Sequence, residues 1–240
     1  MELSHTKKIA VVTGAAGYVG SAIVRKLAQH GYTVAMLYHT KIPDIMSGDH
    51  TSYKCDLENN KEVESTLIRI AAELGEPYAY IHAAGTGPAR KKFLAVTEED
   101  MHEQFTHTVM QSFNFFTNTA ARLKTNGNGV LIGITTAGVL HSGATAGLGA
   151  YIPAKYAVQG MLTMLHNELA PHMVRVYSIA PGFMAGGMNA EIPKAFVEMI
   201  KVKSATHTIT DADLVAEKII ELCDPDTTLN DFTVLIAPEL

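Results

Sequence analysis

Residues 8–31 read KIAVVTGAAGYVGSAIVRKLAQHG, and few folds accept such a string. The run KIAVVT is short, apolar and β-branched, as expected of a strand buried on both faces. It stops at a turn carrying Gly14, Gly17 and Gly20. The next stretch switches to a helical period and ends at Gly31, which suits a helix C-terminus. A buried strand, a glycine turn and a helix predict the start of a parallel sheet wound with helices. The first N–H groups of such a helix, with its dipole, attract phosphate. Gly14, Ala15, Gly17, Tyr18, Val19 and Gly20 are therefore candidate contacts to a dinucleotide pyrophosphate. A plain strand-to-helix turn is the alternative.

The alternation continues to the end of the chain. Strands are expected at YTVAMLY, TSYKCDL, YAYIHAAG, GVLIGITT, VRVYSIA and DFTVLIA. Helices are expected over NNKEVESTLIRIAAELG, over about 98–125, from Tyr151 to Leu169 and over 211–222. A glycine-rich loop, AGVLHSGATAGLGA, precedes Tyr151, and a mobile segment is expected from Phe183 to about Thr206. The pattern predicts an α/β, doubly wound Rossmann-type parallel sheet of about seven strands with helices on both faces. There is no linker and no repeat, so residues 1–240 are read as a single dinucleotide-binding and catalytic domain.

Composition excludes several classes of function. A formal net charge of −5 with no long basic run argues against nucleic acid. Eleven scattered histidines form neither H-E-x-x-H nor a Cys/His cluster, so no metal is expected. Cys55 and Cys223 stand far apart and suit reduced cytoplasmic thiols. The start, MELSHTKKIAVVTG, lacks a signal-like apolar region, and no run approaches the ~18 apolar residues of a membrane span. A cytoplasmic protein without membrane contact is expected.

In doubly wound folds, ligands sit outside the carboxyl ends of the strands. After the second strand come Tyr38, His39, Thr40 and Lys41, with no carboxylate to accept from a ribose diol. Hydroxyl and cationic groups there favour the 2′-phosphate of NADP(H), unless they are ordinary surface residues. Asp56, in CDL with Leu57, reads either as an acceptor for the adenine amino group or as a helix cap. The strand end HAAG lets the backbone of Ala83, Ala84 and Gly85 approach the adenine ribose; His82 reads equally as a packed polar residue. YIPAKYAVQG sets Tyr151 four residues before Lys155, on one helical face. A carbonyl receiving hydride needs a proton from a positioned acid. Tyr151 is that candidate, and the Lys155 ammonium is expected to favour its phenolate. Thr135, Thr136 and Ser142 offer hydroxyls for the carbonyl oxygen.

VVTGAAGYVGSAIVRKLAQHGYTVAMLY, CDL, HAAG, YIPAKYAVQGM and NELAPHMVRVYSIAPGF occur in the order and spacing of one family. The chain resembles a short-chain dehydrogenase/reductase, of the single-domain branch that includes 3-oxoacyl-acyl-carrier-protein reductases. The resemblance implies an NADPH-dependent oxidoreductase that reduces a ketone or 3-oxoacyl carbonyl, on a small molecule or an acyl carrier. It makes Tyr151 the acid and Lys155 its partner and a nicotinamide-ribose ligand. Thr136 stands for the family's serine, Thr108 for its asparagine, and Pro181 and Gly182 for its P-G turn. Relatives are homotetramers or homodimers built on the long helices.

The departures are specific. Tyr18 stands where relatives have glycine. Thr136 lies fifteen residues before Tyr151, a longer spacing than usual. HAAG replaces N-N-A-G, and PGFMAGG lacks the usual threonine. A catalytically weak NADP(H)-binding sensor or assembly subunit is the alternative reading. A sugar-nucleotide epimerase or dehydratase fits the glycine spacing but not the length. Met184, Met188, Phe196, Val197, Met199 and Ile200 read either as an adaptable apolar lid or as core.

Overall fold

The structure is a computed structural model that describes residues 8–44, 50–140, 147–204, 206–227 and 231–237. Seven strands are assigned: β1 Ile9–Thr13, β2 Thr33–Tyr38, β3 Thr51–Lys54, β4 Ala79–His82, β5 Gly129–Ile134, β6 Val174–Pro181 and β7 Thr233–Ile236. They form one sheet in the order β3-β2-β1-β4-β5-β6-β7. Every adjacent pair is parallel. The helices are α1 Tyr18–Gln29, α2 Asn60–Leu74, α3 Glu98–Gln104, α4 Gln111–Asn126, α5 Tyr151–Leu169, α6 Lys194–Lys203 and α7 Ala212–Cys223.

Alternation along the strands divides the core into two layers. Ala10 and Val12 of β1 pack with Ile23 and Leu27 of α1 and Ile219 and Leu222 of α7. Val11, between them, faces the opposite layer with Leu67 of α2, Phe115 and Phe116 of α4 and Leu162 of α5. After β3 the chain crosses to the other side of β1 and enters β4. The sheet's switch point therefore lies between the ends of β1 and β4, where a ligand crevice opens.

Two segments differ from the sequence reading. The long helix over about 98–125 is interrupted by a π-helical turn, Phe105–Met110. Thr97 starts α3 with a capping box to Asp100. Within the segment from Phe183 to about Thr206, read from sequence as mobile, the structure forms α6, which Pro193 introduces. No residue of α6 is buried.

Candidate active site at the carboxyl ends of the strands

The glycine turn is held by distances that leave no room for a side chain. A Cβ on Gly20 would lie 2.1 Å from the carbonyl oxygen of Gly14. Helix α1 begins just beyond Gly17, with no side-chain cap and no acidic residue in its first turn. No acidic side chain of its own first turn therefore offsets its N-terminal dipole.

A cavity of about 310 Å³ opens above this turn. Gly14 and Gly17 form one wall, and Tyr38, His39 and Thr40 another. Asp56, Leu57, Ala83, Ala84 and Gly85 complete it. Ala16, Leu37, Lys41, Cys55 and Gln111 also line the cavity. Lys41 adjoins the β2 end already singled out, but Gln111 carries no sequence signal, since α4 brings it in from across the fold. Gln111 donates to Glu58, which also pairs with His107. Asp56 does not cap α2; Asn59 does, and Asp56 Oδ1 instead accepts from the Glu58 N–H at 2.9 Å.

Other expected residues lie elsewhere. Ala15 lines a second cavity of about 320 Å³ with Arg25 and Lys41. Val19 packs against the core. Tyr18 lies across Gly186 and Gly187, beyond β6. A Cβ on Gly186 would come within 2.4 Å of the Tyr18 ring, and one on Gly187 within 2.8 Å of its Cβ. The Tyr18 ring thus occupies room that two glycines after β6 leave open.

Tyr151 and Lys155 start α5, further along the row of strand ends. Both are buried. Lys155 Nζ lies 5.7 Å from the Tyr151 ring centroid and donates to the Ile134 carbonyl at 2.9 Å. Gly85 joins the two regions, because it lines the cavity and a Cβ on it would lie 3.7 Å from Lys155 Nζ. Burial pushes the Tyr151 phenol up to about 12 and the Lys155 ammonium down to about 8. The net direction for the phenol is therefore upward, set by burial. Removal from water penalises the charged form of each group, and no opposing contribution from the lysine outweighs it.

Of the hydroxyls after β5, Thr135 is committed elsewhere. Its Oγ1 donates to the Ile179 carbonyl and lies 3.0 Å from Ser178 Oγ. Thr136, half-buried, accepts a long 3.4 Å bond from the Gly138 N–H, its side chain's one hydrogen-bond partner among the described residues. Ser142 lies outside the described residues. Thr108 is buried in the π-turn, where its Oγ1 accepts from Gln104 at 2.8 Å and lies 3.4 Å from Thr86 Oγ1. Pro181 ends β6, and the Gly182 N–H donates to the Ile236 carbonyl. Among the described residues, no cluster of His, Cys, Asp and Glu could hold a metal ion.

A family model described as enoyl-(acyl carrier protein) reductase matches residues 14–232, from the glycine turn to the edge of β7. The chain belongs to the short-chain dehydrogenase/reductase family. Members of that family are oxidoreductases, and this short-chain dehydrogenase/reductase is similar along most of its length to curated relatives. A Bos taurus 3-oxoacyl-(acyl-carrier-protein) reductase is 26% identical over 229 residues, covering 90% of this chain and 91% of its own. A structure of ElxO with NADP bound superposes with a TM-score of 0.86 at 15% identity, covering 96% of this chain and 97% of that one. An NADPH-dependent 3-quinuclidinone reductase from Rhodotorula rubra gives 0.84 at 22% identity, covering 98% and 91%. At such identities these two structures speak to the fold alone.

Proposed function

We propose that this short-chain dehydrogenase/reductase is an NADP(H)-dependent carbonyl reductase acting through one domain, residues 1–240. Its substrate would be a ketone or 3-oxoacyl compound, free or on an acyl carrier. The observation that carries this reading is the continuity of the site. A crevice of about 310 Å³ at the switch point is lined by Gly85, which in turn adjoins the buried tyrosine–lysine pair. The residues present fit the cofactor. The uncapped start of α1 suits its pyrophosphate. Exposed His39, Thr40 and Lys41 suit its 2′-phosphate, and the cavity-lining backbone of Ala83 to Gly85 suits its ribose.

The cofactor, when bound, supplies the hydride. Tyr151, kept neutral by burial, gives its Oη proton to the carbonyl oxygen as negative charge grows there. Lys155 supports the phenolate left behind and holds the nicotinamide ribose. Thr136, whose hydroxyl is only weakly engaged, orients the substrate oxygen. Thr108 and its hydrogen bonds stand in for the family's asparagine behind the lysine. Pro181 and Gly182 border the nicotinamide side. The relatives' names support a 3-oxoacyl substrate class.

No helix among the described residues is long and apolar enough to cross a membrane. A cytoplasmic location is part of this proposal. Phe113 of α4 with Tyr156 and Met164 of α5 are 47%, 52% and 58% exposed, which fits pairing with a second copy as a homodimer or homotetramer. Light scattering after gel filtration checks this; a monomer refutes it.

Fluorescence titration should find NADPH bound at least tenfold more tightly than NADH, about 1.4 kcal/mol. Tyr38→Asp should shift preference toward NADH. Equal constants for the wild type refute the NADP(H) assignment. Thr136→Ala should lower turnover ten- to a thousandfold, the range for a lost oxyanion donor. Tight NADPH binding without turnover of any carbonyl compound favours the sensor reading instead.

A further inference from the structure

His82, the last residue of β4, is buried beneath the cavity, and the mechanism above does not use it. The parallel register sets it beside Thr13, the last residue of β1. Its Nδ1 lies 2.9 Å from Thr13 Oγ1, and its Nε2 lies 2.9 Å from Ser112 Oγ. The direction of these bonds follows from their outer partners. Thr13 Oγ1 accepts from the N–H groups of Ala83 at 3.2 Å and Ala84 at 3.1 Å. Its own proton is then free only for Nδ1. At the other end, Ser112 Oγ donates to the Thr108 carbonyl at 2.6 Å. It must therefore accept from Nε2. Both ends independently require the neutral ring with its proton on Nε2. The opposite tautomer would leave the Thr13 proton without an acceptor and cut Ser112 from Thr108.

We propose that His82 is a positioning residue, whose Nε2–H tautomer locks one directed hydrogen-bond chain from the Ala83–Ala84 backbone through Thr13 and Ser112 to the Thr108 carbonyl. The chain ties the cavity floor to the π-turn. Ala83, Ala84 and Gly85 line the cavity, and Gly14 packs directly against Ala83 and Ala84. Gly85 faces Lys155. A shift of the HAAG backbone therefore moves the glycine turn and the lysine together. The ring is held in plane by stacking on Phe115 at 5.3 Å and an edge contact with Phe116 at 5.1 Å. A protonated ring would place a second N–H against Thr13. Lys155 is the charged group that acts on it. Burial and that charge hold the imidazole down at about 3, in accord with the neutral form.

The proposal rests on the dinucleotide reading of the cavity, and the test separates the two. Ring-nitrogen NMR of the 15N-histidine protein should show one neutral, Nε2-protonated ring that does not change from about pH 5 to 9. His82→Phe keeps the stacking and removes both bonds; Ser112→Ala removes one. Each should weaken NADPH binding by about tenfold, with KM for NADPH rising more than kcat falls. His82→Asn should recover part of the loss. An Nδ1-protonated or titrating ring overturns the proposal. So does NADPH affinity within twofold of wild type in folded Ser112→Ala, even where His82→Phe fails to fold. A wild type that binds no dinucleotide overturns the reading of the cavity, while the tautomer measurement still decides the chain.

Discussion

Thr13 and His82, under the cavity, are 0% and 2% exposed, whereas Met188, Phe196 and Met199, beyond β6, are 51%, 45% and 42% exposed. The floor is backbone packed on backbone and a hydrogen-bond chain with no spare donor. The rim is apolar side chain on a helix with no buried face, tied back by a few contacts. Phe196 meets Phe183 edge-on, Asn189 donates to the Met184 carbonyl, and Arg90 donates to Asn189. Close-packed regions transmit small changes, and loosely held ones absorb them. On this contrast a change at the floor should disturb the whole cavity, and a change at the rim should be absorbed locally. The rim residues are not core, which removes one of the two readings of that segment for Met188, Phe196 and Met199.

Substitutions at the floor should be the most damaging. Gly20→Ala places a methyl group against the Gly14 carbonyl, and backbone cannot rotate away. A loss of about 3 kcal/mol or more is expected, the upper end for overpacking. Chemical denaturation measures it, and wild-type stability would break the contrast. Tyr151→Phe removes only a hydroxyl. Turnover should fall at least a hundredfold, about 2.7 kcal/mol, with melting temperature and NADPH affinity nearly unchanged. Undiminished turnover would remove Tyr151 from the chemistry.

Between floor and rim lies the Tyr18 contact. Gly186→Ala should cost no more than about 1 kcal/mol, because its Cβ meets the far end of the Tyr18 ring, which is 42% exposed and can turn aside. Tyr18→Gly should restore most of that loss in the double variant, a coupling that a thermodynamic cycle detects. Additive losses would show that the two residues do not meet.

Lys155 gives the pH dependence. Its ammonium is held down at about 8, so it is charged below that pH and neutral above it. NADPH binding should therefore weaken as pH rises through about 8, and Lys155→Met should flatten the profile. A wild-type affinity constant from about pH 6 to 10 would refute the role. The smallest effects belong to the rim. Phe196→Ala and Met199→Ala should change stability by no more than about 0.5 kcal/mol, as expected at exposed positions. They should shift KM for bulky carbonyl substrates several-fold while leaving KM for NADPH alone. A large loss of stability would make the rim part of the core.

Much of the fold was legible because its signals are local. A β-branched run ending in glycine, followed by a helical period, needs no partner to be recognised, and each strand was found within a few residues of its place. The π-turn at 105–110 was not legible, since one widened turn leaves the apolar period on either side intact. Candidate residues could be listed from strand ends, but not sorted. Thr135 and Thr136 are neighbours in sequence, yet only the tertiary fold sends one hydroxyl to Ser178 and Ile179 and leaves the other weakly engaged.

Sequence alone therefore determined the alternation of strands and helices apart from α6 and the π-turn, the glycine turn and the Tyr151–Lys155 spacing. These depend on residues within one or two turns of each other. The tertiary structure decided what depends on groups distant along the chain. It brought Tyr18 onto Gly186, Gln111 into the cavity and Thr13, Ser112 and Thr108 onto His82. It also set the upward direction of the Tyr151 phenol, because desolvation sums over everything packed around a group, much of it distant in sequence.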